Sequence, residues 1–190
     1  MVTPQFLPVS GDTLSLSALT PVGVDVDDYA VEIQRLDVYG LTAASYTWIG
    51  GVWCDDNEDP VENVTISVGQ GLWVFDYTGT SSLQSAGKVG TSDVVVELNS
   101  AGGIGVGNPF PITVALDGIV PVGEGVDDYT VEIQLLDEYG LTQSSFTWIG
   151  GVWCDDNEDP VENVTFEPGQ GLWVFAYADD CALQIPAPEL

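Results

Sequence analysis

The residues best equipped for chemistry stand in one acidic run that occurs twice. Asp55-Asp-Asn-Glu-Asp59 returns as Asp155-Asp-Asn-Glu-Asp159, each copy directly after a cysteine, Cys54 or Cys154. The pattern Asp55-x-Asn57-x-Asp59 (and Asp155-x-Asn157-x-Asp159) puts three oxygen-bearing side chains on alternate residues. A Ca²⁺ cage begins this way, because a hard cation takes about 6–8 closely spaced oxygens. The run departs from an EF-hand loop, with Pro60 where glycine is needed and Ile66 where a bidentate glutamate belongs. Two readings stand. One is a Ca²⁺ site to which Asp25, Asp27 and Asp28 could add carboxylates. The other is a solvated turn in which Asp and Asn side chains bond nearby amides.

The chain has no histidine, which excludes Ser-His and Cys-His nucleophiles and imidazole-ligated zinc. Aspartates beside Cys54 and Cys154 raise a thiol pKa and leave a poor nucleophile. Two-carboxylate glycoside hydrolysis needs only acids, and acids are so abundant here that their presence carries no signal. The expectation is a protein that is not an enzyme and needs no cofactor. Trp48 and Trp53 (Trp148 and Trp153), with Tyr46 and Trp73 near in sequence, offer flat faces on which sugar rings stack. Their period-2 placement beside Val52, Val74 and Phe75 suits a hydrophobic core better.

These residues need elements to position them, and the elements repeat. The stretch Trp48–Thr65 recurs residue for residue as Trp148–Thr165, and 45 of the 60 residues in 21–80 are found again at 121–180. Such a repeat predicts two modules, 1–90 and 91–190, related by internal duplication and each with its own core. Thr13–Leu19 alternates apolar and polar as a half-buried strand does. Pro21-Val22-Gly23 reads as a turn. Tyr29–Leu36 alternates again, with Tyr29, Val31 and Ile33 on one face. Ser45–Ile49 and Val52–Cys54 flank a Gly50-Gly51 hairpin signal. Val64–Val68, Leu72–Tyr77 and Leu83 close the module. Asp93–Leu98 reads as a strand that opens the second module, with addition to an exposed edge of the first as the alternative. Short β-rich runs with turn signals every few residues, and no helical periodicity, predict an all-β chain of two tandem antiparallel β-sandwich or barrel-like modules.

Charge narrows the partners. Thirty acidic residues face two basic ones, Arg35 and Lys88, for a net charge of −28. A field of that size repels phosphate backbones and anionic headgroups, so neither nucleic acid nor membrane is expected as a direct partner. Met1-Val-Thr-Pro4 has no basic or apolar leader, so no secretory signal is expected. Of the three cysteines, Cys181 has Ser81 as its counterpart, so one copy manages without any internal disulfide. Reduced thiols are expected, with a Cys154–Cys181 bridge as the alternative.

Gly107-Asn-Pro-Phe-Pro111, then Thr147-Trp-Ile-Gly-Gly-Val-Trp153, then Pro168-Gly-Gln-Gly-Leu-Trp-Val-Phe-Ala176 resembles a β-module that recurs in surface and secreted proteins of bacteria. The likeness spans most of each half. In the first copy Thr3–Pro8 replaces the Asn-Pro-Phe-Pro start and Val68 replaces Pro168. The resemblance implies a β-fold and no catalytic residue. Near-identical tandem modules under an acidic shell suit a structural protein on the surface of a bacteriophage virion, either a capsid decoration protein or a head fibre. Its expected partners are capsid or other protein subunits and copies of itself. The segment Thr3, Pro4, Phe6 and Pro8 is the expected docking end. The alternative is a carbohydrate- or Ca²⁺-binding module of a bacterial surface or extracellular protein.

Overall fold

The structure is a computed structural model that describes residues 2–3, 13–37, 39–84, 90–100, 102–137 and 139–188. It is all-β, with two short 3₁₀ turns among the described residues. The first half contains β1 (Val2–Thr3), β2 (Thr13–Ser15), β3 (Thr20–Gly23), β4 (Val31–Leu36), β5 (Thr42–Ile49), β6 (Val52–Cys54), β7 (Thr65–Ser67), β8 (Leu72–Asp76) and β9 (Ser81–Gln84). The second half contains β10 (Val94–Glu97), β11 (Gly103–Gly107), β12 (Val114–Ala115), β13 (Val120–Val122), β14 (Val131–Leu136), β15 (Thr142–Ile149), β16 (Val152–Cys154), β17 (Thr165–Phe166), β18 (Gly171–Ala176) and β19 (Ala182–Ile185).

Each half is built on a five-stranded antiparallel sheet, in the order β1-β8-β4-β5-β6 and β11-β18-β14-β15-β16. The registers match across the repeat. Ile33 faces Tyr46 and Val74, as Ile133 faces Phe146 and Val174. Alternation then sends Val31, Ile33, Leu72 and Val74 into one core and leaves Glu32, Gln34, Trp73 and Phe75 on the opposite face. Smaller sheets, β2-β7 with β3-β9 and β12-β17 with β10-β19-β13, complete the two halves. Buried apolar residues gather into two clusters, one drawn from residues 16–74 and the other from 96–185.

Three local readings change and a fourth holds. Pro21-Val22-Gly23 is strand rather than turn, because among the described residues β3 pairs only with β9 and an edge strand tolerates a proline without an N–H. Thr13–Leu19 is strand only to Ser15, after which a 3₁₀ turn at Leu16–Ala18 buries both Leu16 and Leu19. Tyr29 does not share the face of Val31 and Ile33. Its φ is +67°, its ring is exposed, and its N–H bonds the Trp48 carbonyl one turn before β4 starts. Asp93–Leu98 does contain a strand, β10, which pairs with β19 of the second half.

Candidate functional site

The acidic loop is held by its own first residue. Asp55 Oδ1 accepts the amide N–H of Asn57 at 2.8 Å and of Asp59 at 3.1 Å, while the Asp55 N–H bonds the Asp59 carbonyl at 3.0 Å. Asp155 does the same with Asn157 and Asp159 at 2.9 and 3.1 Å. These amide bonds hold the Asp55 and Asp155 carboxyls below their ordinary range. Asp28 is also engaged elsewhere, since its Oδ1 accepts the Gly50 N–H at 2.6 Å and so ties down the hairpin tip. Among the described residues no three acidic or thiol groups converge in a way that would hold a metal ion. The loop geometry is that of an Asx-type turn.

The tryptophans divide by role. Trp48 and Trp53 face each other across the β5–β6 hairpin, edge to face at 5.2 Å, and Trp148 and Trp153 repeat this at 5.1 Å. The hairpin turn needs φ > 0 at both central residues, which Gly50 (+60°) and Gly51 (+83°) supply. Trp53 and Trp153 are 3% and 2% exposed, and their indole N–H groups donate to the Leu19 and Ile119 carbonyls at 2.9 and 2.7 Å. They are therefore core residues. Trp53 and Trp153 thus present no face to a sugar, and the half-buried outer partner of each pair, Trp48 or Trp148, reaches solvent.

The exposed aromatic surface lies elsewhere. On the outer face of the first five-stranded sheet, Glu32 accepts bonds from Tyr77 Oη (2.7 Å), Ser45 Oγ (2.6 Å) and Gln34 Nε2 (2.7 Å). Tyr77 stacks on Phe75 at 6.2 Å and remains 63% exposed. In the second half, Glu132 takes the same three bonds from Tyr177, Ser145 and Gln134. Partial burial and the adjacent carboxylate push Tyr77 and Tyr177 up to about 12. Burial would raise the Glu32 and Glu132 carboxyls, but the three donated bonds outweigh it and hold them low. Sequence reasoning passed over this strip. The signal was present, because Glu32, Gln34, Phe75 and Tyr77 fall on the odd-even face opposite the core.

All three thiols are free and buried. Burial first, then the neighbouring aspartates and glutamates, raises Cys54 and Cys154. The Cys154–Cys181 bridge does not form: Cys154 ends β16 of the large sheet, and Cys181 stands just before β19 of the small sheet, packed in the core cluster. Of the expected docking residues, Thr3 is taken up as an edge-strand residue pairing with Val74, and Pro4, Phe6 and Pro8 lie outside the described residues. Asn108 is buried and spans its turn, accepting from the Phe110 N–H and donating to the Ile112 and Phe166 carbonyls, which sets Phe110 into the core.

A cleft of about 660 Å³ opens where the two halves meet, lined by Arg35, Val68, Gln70, Val95, Glu97 and Ile104 among others. Arg35 is the chain's one arginine, and its repeat counterpart is the buried core residue Leu135. No helix among the described residues is long and apolar enough to cross a membrane. Compared with protein-family models, with curated proteins and with solved structures, the chain matches none.

Proposed function

We propose that this is a non-enzymatic structural protein, a β-module pair displayed on the surface of a larger assembly, of the kind that decorates or extends a bacteriophage capsid. The observation that carries this reading is where the acids go. Asp28, Asp55 and Asp76 and their counterparts Asp128 and Asp155 bond backbone amides of turns, and Glu32 and Glu132 fix tyrosine rings. The carboxylates serve as turn chemistry and as a repulsive shell, and a shell of net charge −28 keeps neighbouring particles apart. The partner would be a protein subunit of that assembly. Light scattering of the purified chain, with and without millimolar Ca²⁺, tests this. A defined oligomer unchanged by Ca²⁺ supports display on an assembly, and a monomer under both conditions removes self-assembly from the account.

A second reading is favoured by one observation, the exposed Tyr77 and Tyr177 rings whose hydroxyls are anchored on Glu32 and Glu132. Aromatic faces beside fixed polar groups suit neutral saccharides, and the acidic surface disfavours anionic ones. A glycan screen against the chain and its Tyr77→Ala/Tyr177→Ala variant decides it. Binding lost in the variant supports a carbohydrate-binding module, and no binding by the unaltered chain removes the reading.

A further inference from the structure

The two halves touch through a reciprocal exchange. The ring edge of Trp173 lies over Gly40, so close that an added Cβ there would sit 2.6 Å from it, and the ring edge of Trp73 lies over Gly140 at 2.3 Å by the same measure. The two indoles meet edge to face at 6.2 Å between them. Both glycines occupy left-handed turns, φ +74° and +76°. Each turn is locked by an aspartate, Asp37 or Asp137, whose Oδ1 accepts two amides of the turn. Residue 73 thus meets 140 as 173 meets 40, which is how an isologous, two-fold interface pairs its residues. Backbone bonds reinforce one side of it. Gly71 N–H donates to the Gly105 carbonyl at 2.8 Å and Gly107 N–H to the Gly69 carbonyl at 3.1 Å. A Cβ at Gly105 would reach Leu36 at 3.3 Å and Gly71 at 3.5 Å, so β11 lies in close packing contact with the first half.

We infer that this contact is a self-complementary surface in its own right, so that one half recognises another copy of the same surface whether or not the chain joins them. Its occupant is a second copy: the other half of this chain, or a half of a neighbouring chain. The reciprocity of the tryptophan–glycine pairs carries this inference independently of the display reading.

The sequence supplies its own test, because Lys88 is the only lysine and in sequence it separates 1–87 from 89–190. A lysine-specific protease therefore yields two fragments, 1–88 and 89–190. If the native chain resists cutting, cleavage in urea followed by joint refolding gives the same sample. Gel filtration with light scattering should find the cleaved halves still together at micromolar concentration. Native mass spectrometry should also find some pairs of 89–190 with itself. Trp73→Ala or Trp173→Ala should weaken the association at least tenfold while far-UV circular dichroism stays that of the intact fold. Halves that separate as monomers would overturn the interface. One-to-one pairs alone, with no self-pairs, would overturn its self-complementarity.

Discussion

Replacing Trp153 by phenylalanine separates the core role of the tryptophans from a binding role. The indole N–H donates to the Ile119 carbonyl at 2.7 Å, and Ile119 itself is fully buried. Phenylalanine leaves that carbonyl without its partner, at a cost of about 1–3 kcal/mol. The missing pyrrole ring leaves a small cavity worth roughly 1–2 kcal/mol more on the scale of large-to-small core changes. The sum is about 2–5 kcal/mol, a large part of the stability of a domain this size. Trp148→Phe is the control, because it alters the other member of the same edge-to-face pair at the half-buried rim and should cost about 1 kcal/mol or less. Urea unfolding, followed by far-UV circular dichroism, reads the difference as a shift in the transition of the second half. Trp53→Phe should reproduce it in the first half through the Leu19 carbonyl. A Trp153→Phe variant no less stable than Trp148→Phe would refute the assignment of Trp153 to the core.

Tyr77 and Tyr177 should titrate near 12 by absorbance at 295 nm, and Glu32→Gln should bring Tyr77 alone back toward the ordinary value near 10. A folded-state pKa raised for a phenol contributes stability that is complete below about 10 and is lost as pH rises through about 12. Glu32 and Glu132 work in the opposite sense. Their lowered values contribute stability above the ordinary glutamate range, lost as pH falls through the folded value, so the double variant Glu32→Gln/Glu132→Gln should flatten the acid limb of a Tm-versus-pH curve. At the acidic loop, Asp55→Asn keeps a neutral acceptor and should lower the Tm less than Asp55→Ala, and both losses should be equal with and without Ca²⁺. A Ca²⁺-dependent Tm lost in both variants would instead make the loop a cation site. The three buried thiols should react with a disulfide reagent only after denaturation, and rapid native labelling of one would contradict its burial.

What was legible in the sequence follows from periodicity and punctuation. The β5–β6 hairpin was readable because Gly50-Gly51 demands φ > 0 at both positions, which fixes Trp48 opposite Trp53. The strand of Val31 and Ile33 was readable because a period of two needs only local spacing. Tyr29 broke that period invisibly. Nothing in an alternating run announces that its first member sits in a left-handed turn, held there by a bond to Trp48 that spans 19 residues. The acidic loop was readable as a turn, yet the choice between turn and cage depended on where the Asp55 carboxylate points, and only its bonds to two amides decide that.

The interface was illegible for a deeper reason. Trp48, Trp53 and Trp73 are the same residue type in the same kind of alternating run, yet one is rim, one is core and one lies between the halves. Parity separates Trp53 from Trp73, since Trp73 lies between the buried Leu72 and Val74 and must point away from the first core. A large aromatic on that outward parity gains from cover by another element, and for Trp73 the other half supplies it. The glycine that covers it sits in the Asp-x-x-Gly-Leu turn of the other copy, where φ > 0 already restricts the position to glycine. One residue thus answers two demands at once, a turn conformation and the close approach of an indole, and sequence reading assigns it only the first. Gly140→Ala should therefore cost more than the backbone strain alone, and the excess should vanish when Trp73 is already alanine. Equal costs in both backgrounds, measured by urea unfolding, would show that Gly140 serves its turn alone.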